Sequence, residues 1–156
     1  NDGQLHPRDL VEHPGAVVIL PLVDKTPGQE TVAMIRNRRF AVDDTLLELP
    51  AGTLEPPPET PGSCARRELI EEAGYEAQRV EMLCDFYTSP GFCDERMVAY
   101  LATGLTQVGQ QLEANEQITV DVMPLDRVLY LAKAGEVRDG KTLATLLYYA
   151  CFVRHK

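Results

Sequence analysis

The chain begins with scattered apolar positions in a polar stretch, residues 1–15, and then turns sharply apolar. Ala16–Val23 (AVVILPLV) is β-branched and almost continuously hydrophobic, the pattern of a buried strand. Pro27-Gly28 marks a turn, and Glu30–Ile35 (ETVAMI) reads as a second strand forming a hairpin with the first. The basic cluster Arg36, Arg38 and Arg39 follows. Leu46–Leu49 is short and extended and ends at Pro50-Ala51-Gly52. Glu55-Pro56-Pro57-Pro58-Glu59 cannot be helix or central strand, so it reads as a stiff loop of the polyproline II kind.

A helix is predicted next. Thr60 suits the N-cap, Pro61 the first helical position and Gly74 a left-handed C-terminal cap. Ala65, Leu69 and Ala73 recur at i, i+4 and i+8 as an apolar stripe. Residues 76–87 and Met97–Thr103 read as strands, broken by Ser89-Pro90-Gly91, and the polar Gly104–Gln117 reads as a loop. Ile118–Met123 alternates as a strand. Leu125–Ala134 reads as a helix ended by Gly135, and a last helix is expected from about Thr142 to Val153. Strands, a helix, more strands and two helices predict an α/β fold with a mixed sheet.

Composition narrows the function classes. A chain of 156 residues, 44% hydrophobic and 25% charged, is expected to be one globular domain. Neither Ala16–Val23 nor Leu143–Val153 approaches the ~20 apolar residues of a membrane span, so no membrane partner is expected. Fifteen basic against 24 acidic residues, a net charge of −9, argues against nucleic acid. A phosphorylated substrate would need cations to screen it from these acids, which points to a divalent metal. Cys64, Cys84, Cys93 and Cys151 form no CxxC pair, and His6, His13 and His155 lie near the ends. Neither a zinc site nor a disulfide framework is expected, and reduced thiols suggest a cytoplasmic location. Residues 1–15 lack the apolar stretch of a signal peptide, and the absence of an initial Met leaves room for residues upstream.

The chemistry concentrates in Arg66–Gly74 (RRELIEEAG). On a helix Glu68 and Glu72 share one face at i and i+4, with Glu71 beside them. Like charges at that spacing repel, so the pattern weakens an isolated helix and becomes useful once a hard divalent cation sits among the carboxylates. By itself such a cluster is also what a solvated helix face looks like, with Arg66 and Arg67 balancing the acids. The surrounding run GTLEPPPETPGSCARRELIEEAGY, Gly52–Tyr75, resembles the Nudix box G-x5-E-x7-R-E-U-x-E-E-x-G-U, where U is apolar. Glu59, Arg67, Glu68, Leu69, Glu71, Glu72, Gly74 and, loosely, Tyr75 match it. Six residues rather than five separate Gly52 from Glu59, an insertion among the prolines.

Leu47–Gly52 (LELPAG), Ser89–Arg96 (SPGFCDER) and Asp139–Tyr149 (DGKTLATLLYY) look like the ADP-ribose pyrophosphatase branch of the Nudix hydrolases. The resemblance implies a Nudix α/β/α sandwich over residues 16–156, preceded by the lead-in segment 1–15. It implies hydrolysis of the diphosphate of ADP-ribose or a related nucleoside diphosphate sugar, giving AMP and ribose 5-phosphate. It assigns Glu68, Glu72, the auxiliary Glu71 and the Ala51 carbonyl to Mg²⁺, with Mn²⁺ as a possible substitute. Arg67 and Glu59 match a structural ion pair that holds the loop against the helix, and with Glu71 they belong to the expected catalytic set. Arg39 matches a phosphate-holding arginine and Glu95 an acidic substrate contact, although a solvated basic cluster and an ordinary loop acid describe them equally well. The general base matches a glutamate in the loop Thr106–Gln117, Glu116 first and Glu113 in reserve. The branch pairs as a homodimer through N-terminal strands that exchange between subunits. Here fifteen residues precede the first strand, so those strands are either absent from this chain or not used.

Three other readings compete. Gly135–Thr142 (GEVRDGKT) fits the phosphate-binding GxxxxGK[ST] loop, but a helix rather than a strand is expected before it, and Glu136 and Asp139 would crowd a phosphate. A GDP-sugar would use the same machinery as ADP-ribose. A non-catalytic Nudix-fold nucleotide-binding module would be expected to lose box carboxylates, and Glu59, Glu68, Glu71 and Glu72 are all present.

Overall fold

The computed structural model describes residues 7–26, 28–56, 59–114 and 116–154. The Pro27 half of the expected turn, Pro57 and Pro58 of the proline loop, His6 and His155 lie outside the described residues. The strands are β1 Ala16–Asp24, β2 Thr31–Arg39, β3 Asp44–Glu48, β4 Ala51–Thr53, β5 Tyr75–Tyr87, β6 Arg96–Gln107 and β7 Ile118–Pro124. The helices are α1 Pro61–Ala73, α2 Leu125–Lys133 and α3 Gly140–Phe152. The sheet runs β3-β2-β1-β6-β5, with β4 also on β1 and β7 also on β2. β1 and β6 are parallel and the other ladders antiparallel, so the sheet is mixed as expected.

Alternation along β1 builds the sandwich. Val18, Leu20 and Leu22 face a core completed by Leu125, Val128 and Leu131 of α2 and Leu146 and Tyr149 of α3. Val17 and Ile19 face the opposite core, completed by Cys64, Ala65, Leu69 and Ala73 of α1. A strand covered by helices on both sides has no polar face, which is why Ala16–Val23 reads as one apolar run.

Several boundaries differ from the sequence reading. The β1–β2 hairpin pairs only at its tip, Leu22 with Val32 and Asp24 with Thr31. β2 then continues through the basic cluster to Arg39, because β3 and β7 pair along it. Ala51–Thr53 is a short strand on Ala16–Val18 rather than a loop. The expected polar loop from Gly104 is strand as far as Gln107, since β5 supplies backbone partners to side chains that stay in water. Gly104 permits this by taking a positive φ of 67°, where an added Cβ would come within 2.9 Å of Gln78. The last helix starts two residues early because Asp139, not a later residue, is its N-cap.

Candidate active site

Local chemistry sets α1. The Thr60 hydroxyl accepts the Ser63 N–H at 3.2 Å, and Gly74 (φ 73°) closes the far end by donating to the Ile70 and Leu69 carbonyls. The apolar stripe pulls its neighbours inward, so Glu68 and Glu72 are only 8% and 4% exposed. Burial pushes the Glu68 carboxyl up to about 7 and that of Glu72 up to about 8, with the nearby charge of Glu116 adding to both. Arg67 and, at longer range, Arg39 work against these rises.

The acids have defined partners. Glu72 Oε2 accepts the Ala51 N–H at 2.8 Å. Arg67 Nη1 donates to Glu68 Oε1 at 2.7 Å and to Glu71 Oε2 at 2.8 Å. Its Nε and Nη2 fork onto Glu59 at 3.1 and 3.0 Å, and Nη2 also reaches the Thr53 carbonyl at 3.2 Å. This contact holds the Glu59 carboxyl below its ordinary range. Gly52 packs against the Glu68 carboxylate so closely that an added Cβ would lie 1.8 Å from Oε1. Beneath them burial pushes the Cys64 thiol up to about 12, which marks it as a packing residue.

A cleft of about 700 Å³ opens beside this cluster, lined among others by Arg39, Glu48, Ala51, Gly52, Glu95 and Lys141. Arg39 forks onto the buried Glu48 rather than projecting freely. Glu95 accepts the Thr88 hydroxyl at 2.5 Å, with His13 Nε2 3.8 Å from its other oxygen. His13 comes from the lead-in segment, where Val11 bridges to Cys93. Glu113 is exposed and Glu116 half-buried, and neither lines the cleft. Glu116 Oε2 accepts the Glu113 N–H at 2.8 Å, and its charge is felt at Glu68 and Glu72.

The donor set suits a hard divalent cation: buried carboxylates, mutually repelling, beside a glycine whose missing side chain leaves Glu68 its place. Among the described residues no group of three acids, histidines or cysteines is arranged to hold a metal, and Arg67 and the Ala51 N–H engage the box oxygens instead. The GxxxxGK[ST] reading fails on the expected ground: α2 precedes Gly135, and Lys141 is engaged by Glu48 and Asp139. Glu48 escaped the sequence reading, though a lone acid in the apolar Leu46–Leu49 is a signal of a buried partner.

The profile of the NUDIX domain matches residues 12–146. The chain belongs to the Nudix family. An ADP-ribose pyrophosphatase of Bacillus subtilis (strain 168) is 38% identical over 149 residues, covering 94% of this chain and 78% of the relative. A methanol dehydrogenase activator of Bacillus methanolicus is 36% identical with the same coverage. A GDP-mannose pyrophosphatase of Salmonella typhimurium is 33% identical over 153 residues, 92% of this chain and 77% of the relative. A crystal structure of an ADP compounds hydrolase superposes with a TM-score of 0.75 at 22% identity, over 89% of this chain and 70% of that one. This Nudix chain is a hydrolase with the α/β/α sandwich fold of its family, in the branch of the ADP-ribose pyrophosphatases. Nudix membership implies a divalent-metal-dependent mechanism. No helix among the described residues is long and apolar enough to cross a membrane.

Proposed function

We propose that this chain hydrolyses the diphosphate linkage of ADP-ribose or a close relative among the nucleoside diphosphate sugars, releasing AMP and ribose 5-phosphate. The observation that carries the reading is the pair of buried acids Glu68 and Glu72, set behind Gly52 at the edge of a cleft lined by two cations. Glu68 and Glu72, with Glu71 and the Ala51 carbonyl, would hold Mg²⁺ or Mn²⁺. Such an ion offsets charge on diphosphate oxygens and activates water. Arg67 holds Glu59, and with it the loop, against α1 and screens Glu68 from Glu71, while Arg39 and Glu95 contact substrate. Glu116 takes the proton from the attacking water, as the resemblance implies, with Glu113 as the alternative base. The GDP-mannose pyrophosphatase relatives favour a GDP-sugar as the second reading. Residues 16–156 form the hydrolase domain, working in the cytoplasm without nucleic acid. A homodimer, as the resemblance implies, belongs to the same reading.

The test is a panel of ADP-ribose, GDP-sugars and nucleoside triphosphates with Mg²⁺ and Mn²⁺, products read by mass. AMP from ADP-ribose as the fastest reaction is expected, and faster GMP release from a GDP-sugar selects the second reading. Glu116→Gln is expected to lower kcat by ~10²–10⁴-fold with little change in KM. A larger loss in Glu113→Gln exchanges the two roles.

A further inference from the structure

The most deeply buried charge among the described residues is Glu48, with no exposed surface at the end of β3. A carboxylate there is strongly unfavourable unless cations meet it at hydrogen-bond distance. Arg39 Nε donates to Oε1 at 2.8 Å and Nη2 to Oε2 at 2.6 Å. Lys141 Nζ reaches the same Oε2 at 2.6 Å. Two like charges from distant parts of the chain therefore stand no farther apart than twice that distance. Lys141 is braced in turn. Asp139 accepts its second proton at 2.9 Å and caps α3 by accepting the Thr142 N–H. The Thr142 hydroxyl accepts the N–H of Leu49, the residue after Glu48, at 2.8 Å. The run that imitates a phosphate-binding loop thus ties α3 to β3.

Both cations keep donors in reserve. Arg39 Nη1 makes no hydrogen bond among the described residues, and Lys141 spends two of its three protons. Arg39, Glu48, Asp139 and Lys141 all line the cleft. The quartet is formally neutral, so it offers an anion aimed donors rather than net charge.

We propose that Glu48 is a positioning residue: it presents Arg39 and Lys141 side by side and so sets how tightly the cleft takes a diphosphate. The inference rests on the proposed hydrolysis of nucleoside diphosphate sugars. Glu48→Gln keeps the volume but turns an amide donor toward one of the cations, releasing it. In the folded variant KM for ADP-ribose with Mg²⁺ rises ~10-fold or more while kcat stays within about threefold. Inorganic pyrophosphate binding to the metal-free protein, read by calorimetry, weakens by a similar factor. Adding Glu48→Gln to Arg39→Gln/Lys141→Gln changes KM by less than about twofold, since Glu48 acts through those residues. A folded Glu48→Gln with unchanged KM, or one losing only kcat, overturns the proposal. Should the single variant not fold, the triple variant decides, and a wild-type KM there overturns it. A wild-type protein that cleaves no nucleoside diphosphate sugar yet binds pyrophosphate ~10-fold more tightly than Glu48→Gln sinks the functional reading and keeps this one.

Discussion

Arg67 meets four carboxylates, Glu55, Glu59, Glu68 and Glu71, and among the described residues is the one cation paired with the box acids. Removing it leaves partly buried negative charge without compensation. Arg67→Ala is expected to cost about 3 kcal/mol, the lower end for breaking a buried pair because the site is partly wet. Urea unfolding of the metal-free protein measures it. Glu68 and Glu72 respond in the opposite sense. Their charged forms are already disfavoured by burial, so Glu68→Gln or Glu72→Gln leaves metal-free melting unchanged or raised. Activity tells the other half: each variant is expected to lose ~10²-fold or more in kcat with Mg²⁺. A lowered metal-free melting point would instead mark these acids as stabilising parts of α1.

α1 depends on its neighbours at its far end. The Gly74 carbonyl accepts the N–H groups of Val108 at 2.8 Å and Gly109 at 3.1 Å. Gln111 N–H donates to the Glu71 carbonyl, and Gln110 Nε2 donates to that of Glu72. The segment after β6 therefore completes the helix terminus and carries the chain toward Glu116. Gly74→Ala tests the junction. Its positive φ costs an L-residue ~1–2 kcal/mol, and the new Cβ meets the Gly109 and Gln110 backbone at 2.9 Å. A fall in melting temperature together with faster amide exchange at 108–111 is expected. The helix itself was legible because Thr60, Pro61, the apolar stripe and Gly74 all lie within or directly beside its 13 residues. The extension of β6 was not, because its polar residues are held by backbone pairing to β5, which side-chain pattern does not record.

Arg154, just past α3, ties the end of the described chain back to the domain. It donates to Glu30 at 3.0 and 3.3 Å and to Asp126 at 2.6 Å, linking the start of β2, the start of α2 and the end of the described chain. The guanidinium holds the Glu30 carboxyl below its ordinary value of 4.5. The folded state thus binds this proton less readily than the unfolded chain. The stabilisation is present above about 4.5 and disappears as pH falls through the lowered folded value. Glu30→Gln is expected to melt below the wild-type protein at pH 7, and the gap to close in the acid range. A gap independent of pH would mean that shape, not charge, matters at this position.

Reading residues in order was enough wherever a physical cause acts over a turn or two. The caps of α1, the shared face of Glu68 and Glu72, the apolar strand at Ala16 and the rejection of a phosphate loop at Gly135 all have local causes, set by residue pattern and backbone preference. Folding alone brought Glu48 beneath Arg39 and Lys141, tied Arg154 to Glu30 and drew Val11 and His13 of the lead-in onto the loop bearing Glu95. These contacts join residues from separate elements, and most join positions far apart in the chain. A buried charge needs a partner at about 3 Å, but nothing in linear order says which one the packed sheet will deliver.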